Sequence, residues 1–342
     1  MFHYRLLAPV LALILCAVAV AEDGPPFTIP VLIVRYFPVK DGNIDISITG
    51  DVGDPVDTVR TKTETLTGEI AAALEEGSRW RGYKDSAAKP NLKYTVVDTI
   101  EFLEPLPTRC KLFTRVPMTD YNAIMKRIGI RQWVEERGVK EVWLWAYHGN
   151  KVGLWESNMA GPFGDISNSD RDLCDLPALC KTYTVYHYNY QRGVSEAVED
   201  HMHQIEALLN AADGRDFTLP WHWSSLLFWG KFVGSDWSNK IIHPGCGWAH
   251  YPPNGEKDYD WNNPRQVLTD MNDWKPDGSG RKELMGCEPW QGDSLKWFKY
   301  WMQHLPGPGN GLTWKGRPLN NWWVFVGDFD NAMKRHMTLV QE

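Results

Sequence analysis

The chain is short of the features that would name a chemistry outright. It contains no Cys-x-x-Cys pair, no His-Glu-x-x-His and no inverted form of it, so neither a cysteine-built zinc site nor a zincin helix is written in it. It has no Asn-x-Ser/Thr acceptor for N-glycosylation. It has no run of Lys and Arg, and its formal charge is −7, which makes it a poor partner for nucleic acid or an anionic membrane surface. It has no internal repeat and no low-complexity tract. Past residue 21, no segment approaches the roughly 18 consecutive apolar residues of a membrane-spanning helix. A charge balance of this sign suits a metal cation, or a neutral substrate such as a glycan, better than it suits a polyanion.

What is present begins with a leader. Arg5 supplies a positive start, Leu6 to Val20 is almost unbroken apolar sequence, and Ala19-Val20-Ala21 places small residues ahead of the acidic, proline-rich Glu22-Asp23-Gly24-Pro25-Pro26. That order predicts a secretory signal peptide over 1–21, cut after Ala21, and a protein exported to the periplasm, envelope or medium. Cys16 follows Leu15, which is not small, so plain cleavage is expected over lipid attachment. Export permits disulfides. Cys174 and Cys180 would close a short loop, while Cys246 and Cys287 bracket a segment rich in Pro and Gly that a staple would anchor. These four are the expected disulfide cysteines, with the pairing left open and Cys110 the odd one out.

Residues 22–342 read as one α/β domain. Val31 to Tyr36, Tyr94 to Leu103, Glu141 to His148 and Thr182 to Tyr190 read as strands. A helix through Leu66, Ile70, Ala73 and Leu74 opens with the capping-box spacing of Thr61 and Glu64, and a second follows Asp120. The β-α-β-α-β order predicts parallel strands with flanking helices. Gly149-Asn150 predicts a hairpin turn with Val152 to Glu156 folding back, so the sheet should be mixed. Composition changes near 213–220: thirteen of the eighteen tryptophans lie between Trp221 and Trp323, which reads as a long, loop-rich covering. Ser294 to Leu305 reads as a helix, Asn321 to Gly327 as a last strand, and Asn331 to Leu339 as a terminal helix with Asp330 as its cap.

The clearest helix is Ser195 to Ala211, with Ser195 as its expected N-cap. Val198, Met202, Ile205, Leu208 and Leu209 form its apolar stripe, and Glu196, Glu199, Asp200, His203 and Glu206 lie opposite. Carboxylates three and four residues from His203 are its neighbours on the surface, a spacing that can hold a divalent metal or tune an acid–base pair. The plain reading of that face is solvated polarity, and His201 reads as a hydrogen-bonded core histidine. The helix follows a strand end carrying Tyr188, Asn189, Tyr190 and Arg192, where ligands collect in open α/β sheets. His148, Glu156 and Asn158 also sit near strand ends.

A second candidate is the stretch Cys246 to Asn254 followed by Asp258-Tyr259-Asp260. Paired prolines stiffen it, and it presents His250, Asn254, Asp258 and Asp260. Its plain reading is a loop whose polar side chains cap turns. The two candidates become one site if His250 reaches His203. His203, His250 and Asp258 are then the expected metal ligands, with zinc or calcium as the ion. Glu199, Glu206 and Glu156 are the expected catalytic carboxylates, and His148, Asn158, Arg192, Asn254 and Asp260 the expected substrate contacts. Gly193-Val-Ser195 sits where a nucleophile elbow would be, but Ala197 replaces the final Gly.

The runs EVWLWAYHGN, WESNMAGP, YNYQRG and CGWAHYPPNGEKDYDW resemble those of a group of uncharacterised secreted bacterial proteins. The resemblance covers most of the chain past the leader and implies export, with no activity and no functional residue attached. Three functions remain open on the residues alone. The first is an extracytoplasmic, metal-dependent hydrolase acting on a peptide or glycan. The second is a glycan-binding protein or glycosidase with a tryptophan-lined cleft. The third is a non-catalytic envelope protein, favoured if no polar residues converge on a pocket.

Overall fold

A computed structural model describes residues 26–111, 117–148, 152, 155–169 and 175–342. The leader, the hairpin turn at 149–150 and Cys174 lie outside the described residues. Five strands form the main sheet: β1 (Phe27–Tyr36), β2 (Leu92–Phe102), β3 (Glu141–Ala146), β4 (Ser157–Ala160) and β5 (Tyr183–Asn189). Their order is β2-β1-β3-β5-β4. β1 runs parallel to both β2 and β3, and β3 parallel to β5, whereas β4 is antiparallel to β5. The fold is therefore α/β with a mixed, mainly parallel sheet, as the element order implied. The returning strand is Ser157–Ala160 and not Val152 to Glu156, whose described residues lie outside any strand, and it pairs with β5 and not with β3, because both edges of β3 are already taken by parallel neighbours.

Every residue of β3 is buried, which matches a parallel strand covered on both faces. On one face lie α1 (Val56–Gly77) and α3 (Val194–Ala212). Trp145 donates its indole N–H to Thr67 of α1 at 3.0 Å, and Tyr186 stacks on His201 of α3 with ring centroids 3.7 Å apart. On the other face α2 (Tyr121–Arg127) presents Tyr121, whose hydroxyl lies 2.9 Å from His187 Nδ1. Asp120 caps α2 as expected, accepting from the Ala123 N–H, and Gly129 at φ +67° ends it. His201 is 2% exposed and bonded to Tyr188 at 2.6 Å, the core histidine its position on α3 predicted.

Several local expectations are overturned. α1 starts at Val56, a turn and a half before Thr61, because Val59 extends its buried stripe. Ser195 is not the cap of α3: Gly193 precedes the first turn, and the Ser195 hydroxyl pairs with Ser294 at 2.6 Å. Asn321 to Gly327 is no strand. Asn321 Oδ1 accepts the Trp323 N–H, and the chain turns into α5 (Val324–Gly327). An all-apolar run of this length suits a buried helical turn as well as a strand. The last helix, α6 (Phe329–Lys334), follows Asp328, while Asp330 accepts hydrogen bonds from Thr182 instead of capping.

The disulfide expectation fails among the described residues. Cys180, Cys246 and Cys287 are free thiols, as is Cys110. The segment Cys246 was to anchor is held by other bonds. The Cys246 N–H donates to Phe232 O at 2.6 Å, Gly247 N–H to Val233 O at 3.1 Å, and Thr269 Oγ1 to Gly245 O at 2.9 Å. Cys246 itself is fully buried, and burial pushes its thiol well above the usual range.

The tryptophan-dense part packs into one core cluster with the sheet: Trp290, Trp297, Trp301, Trp322 and Trp323 are each buried. α4 (Ser294–Met302) carries two of them against α3. No helix among the described residues is long and apolar enough to cross a membrane.

One buried acid sets a pH dependence. Burial pushes the Glu141 carboxyl up to about 8, against the N–H that Trp143 donates to it at 2.8 Å. The folded pKa lies above the unfolded one, so the stabilisation is full below about 4.5 and is lost as pH rises through about 8. Glu141→Gln should gain stability relative to wild type at pH 8 and not at pH 4, read by urea denaturation at both values.

Candidate metal centre

Past Glu196, the polar face of α3 is largely withdrawn from bulk water. Asp200 is 8% exposed, His203 5% and Glu206 6%. They are covered by the chain from Gly245 to Trp261, which has little regular structure of its own. Backbone carbonyls in such a segment need donors, and tryptophan supplies them. Ala249 O accepts indole N–H groups from Trp261 at 2.8 Å and Trp297 at 3.0 Å, and Gly247 O accepts one from Trp301 at 2.8 Å. The Ala249 N–H donates to Glu206 Oε1 at 2.7 Å, tying the segment to α3 one residue before His250. Gly247 takes φ +73°, and a Cβ there would meet Tyr251 O at 2.4 Å, so only glycine allows this approach.

These contacts bring His250 to His203. The two Nε2 atoms are 3.0 Å apart. Glu199 Oε1, one helical turn before His203, lies 3.7 Å from His203 Nε2 and 3.1 Å from His250 Nε2. The opposite ring nitrogens are both occupied. His203 Nδ1 donates to Glu206 Oε2 at 3.1 Å, and His250 Nδ1 to Asp258 Oδ1 at 3.2 Å. Ionised carboxylates only accept, so each neutral imidazole keeps its proton on Nδ1 and turns a lone pair inward on Nε2. Two imidazole lone pairs and a carboxylate oxygen thus face one point. Glu199, His203 and His250 form a group that can hold a metal ion.

Without a metal, that point attracts a proton. Burial disfavours the charged His203 ring, but the Glu199 and Glu206 carboxylates outweigh it and raise its pKa well above the usual value. Burial likewise opposes ionised Glu199, yet its bonds to His203 and His250 hold it down at about 2.

The triad stands between two cavities. The larger, about 440 Å³, is lined by His203, Glu206 and His250 together with Asn210, Arg215 and Trp248. The smaller, about 190 Å³, is lined by Glu199, Asp200, His187, Arg192 and Tyr259. Glu156 lines both, and its carboxylate accepts from Asn168. Burial raises the Asp200 carboxyl well above its ordinary value, which favours its protonated form beside Glu199. His187 is 1% exposed, its Nε2 has no partner, and burial lowers its pKa to about 3.

The sequence candidates divide accordingly. Glu199, His203 and His250 converge, Glu206 and Asp258 orient the two rings, and Glu156 and Arg192 line the cavities. Asn254 and Asp260 instead hold the covering segment: Asn254 donates to Asn263 O and Arg265 O, and Asp260 accepts from the Glu256 N–H and from Asn263. Asn158 is buried in β4 and His148 is exposed, and neither lines the two cavities. Asp200 and Arg215 were not singled out as site residues. Asp200 shares the polar face of α3, which is a sequence signal, whereas Arg215 sits in Gly214-Arg215-Asp216, which reads as an ordinary surface turn. No family model matches the chain, and no curated protein matches it.

Two outcomes follow for the ion. Binding must displace the proton held at His203, so titration with zinc should release protons, seen as heats that vary with buffer ionisation enthalpy, and affinity should rise with pH through neutrality. Asp258→Asn should weaken zinc binding by about tenfold, the lower end for an outer-sphere partner, because Asp258 is largely exposed; competition with a chromogenic chelator reads it.

Proposed function

We propose that the protein is an exported, zinc-dependent hydrolase. The observation that carries this reading is the convergence of two Nε2 lone pairs and one carboxylate oxygen beside open cavities. Catalytic zinc typically has three protein ligands of this kind and leaves a fourth position for water. Tetrahedral ligands at zinc bond lengths stand about 3.3 Å apart, and the three separations here, 3.0, 3.1 and 3.7 Å, bracket that spacing. Calcium prefers six to eight oxygen ligands, and two of the three converging atoms are nitrogen. Export rests on the leader.

A zinc ion held there would lower the pKa of a bound water and polarise a carbonyl. The remaining roles fall to the chain. Glu206 and Asp258 keep the two imidazoles in the ligating tautomer. Glu156, reaching both cavities, takes the proton from the attacking water. Asp200, whose carboxyl burial favours in the protonated form, is placed to return a proton to the leaving group. The tryptophans give the glycan reading little: most fill the core, the exposed Trp221 and Trp237 line neither cavity, and of the two that line the larger one Trp229 is buried against Arg215.

Purified protein should contain one zinc per chain and cleave members of a peptide library followed by mass spectrometry, with a chelator stopping cleavage and zinc restoring it. His203→Ala should lose the metal and the activity together. Glu156→Gln should keep the zinc and lose about 10²- to 10⁴-fold in turnover. A protein with no zinc, or a His203→Ala variant with unchanged zinc, sinks the proposal.

A further inference from the structure

The larger cavity holds a cation that no acid pairs with directly. Arg215 follows α3 directly, in the turn Arg215–Phe217. Its guanidinium carbon lies 3.9 Å from the Trp223 ring centroid and 4.0 Å from that of Trp229. Indole rings close against the guanidinium limit its motion and leave its edge as the bonding surface. Its Nε is buried without a hydrogen-bond partner, and among the described residues it makes no ion pair. Asp216 and Glu206 are near enough to attract it, but neither forms an ion pair with it, and the two Glu206 oxygens are committed to His203 and Ala249. A partly buried cation without a directly bonded anion is costly, so that bonded anion is expected from a ligand.

Asn210, at the C-terminal end of α3, lines the same cavity. It is 6% exposed, and its Oδ1 is buried with no donor. Trp229 and Trp248 add apolar wall, and Trp248 stacks on His250 with centroids 4.8 Å apart. The cavity thus offers an anion site, an N–H acceptor and an aromatic wall leading to the triad. Its volume is in the range of small-ligand sites. Asp165, Asp216 and Glu156 also line it, which disfavours a phosphate dianion more than a single carboxylate.

We propose that this cavity binds the carboxyl-terminal end of a peptide: the terminal carboxylate on Arg215, the last N–H on Asn210 Oδ1, and an apolar last side chain on Trp229 and Trp248. This deepens the hydrolase reading and rests on it only for the cleavage step. In that step water adds across the last peptide bond. The hydroxyl goes to the carbonyl carbon, the C–N bond breaks, and the remaining hydrogen goes to the departing nitrogen, leaving an acid and a free amino acid.

The test is calorimetric titration of the zinc-loaded protein with N-acetyl-alanyl-phenylalanine and with its carboxamide. Cleavage is suppressed by working in the Glu156→Gln background. The acid should bind at least about tenfold tighter than the amide, as a charge-assisted bidentate contact allows. Arg215→Met should erase that preference at unchanged zinc content. Asn210→Asp should erase it by repulsion while leaving the Trp223–Arg215–Trp229 stack in place, and this variant decides if Arg215→Met does not fold. Equal binding of acid and amide, binding of neither, a preference for phenyl phosphate, or a preference that survives Asn210→Asp overturns the proposal. If the protein holds no zinc and still prefers the acid, the hydrolase reading falls and the carboxylate site stands.

Discussion

The backbone of Ala249 is the constraint on which the site depends. Its N–H is taken by Glu206 on α3, and its C=O is shared by the indoles of Trp261 and Trp297. With both ends fixed, the next residue, His250, has little freedom in where its ring goes. One of the anchors, Glu206, also fixes the tautomer of His203 through its second oxygen. A single carboxylate therefore sets both the position of one imidazole and the protonation pattern of the other. Loss of Glu206 would disturb two ligands at once, unlike the loss of Asp258, which touches one.

The tryptophans belong to the same logic. A long covering segment with few strands or helices has many backbone carbonyls without helix or ladder partners. Indole is large enough to fill a thick core and still carries one donor at its edge. Trp229, Trp248, Trp274 and Trp322 repeat the arrangement, each donating to a backbone carbonyl at 2.8 to 3.1 Å. Their enrichment past Trp221 is thus a solution to irregular backbone in a folded interior. That also explains why the covering holds without the cysteine staple that its Pro and Gly content invited.

What could be read from the sequence was what is local. The 3.6-residue period of α3 gave its apolar stripe and its acidic, histidine-bearing face, and the alternation of elements gave a mainly parallel sheet. Which strand the returning β4 would join was not local, since it depends on which edges are already filled. Asn321 to Gly327 misled because an apolar run carries no period. The meeting of His203 and His250 could be posed from the sequence but not decided, because residues 47 apart are brought together by indole contacts that leave no periodic trace. Arg215 was invisible for a related reason: what marks it is the pair of indole rings beside it and the absence of a direct ion pair.

The burial of the α3 polar face is the physical argument for a bound cation. Asp200, His203, Gln204, Glu206 and Asn210 are all buried on one helix. A sequence selected for stability alone would place apolar residues at such positions, since buried polar groups cost free energy unless their bonds are met. Here most are met, but the inward lone pairs of His203 and His250 and the Glu199 oxygen are met only by each other. Three acceptors at one point are mutually repulsive until a positive charge sits among them. A proton can bridge only two of the three. A metal ion would engage all of them, and its binding energy would then add to folding, because the unfolded chain has no such point to offer.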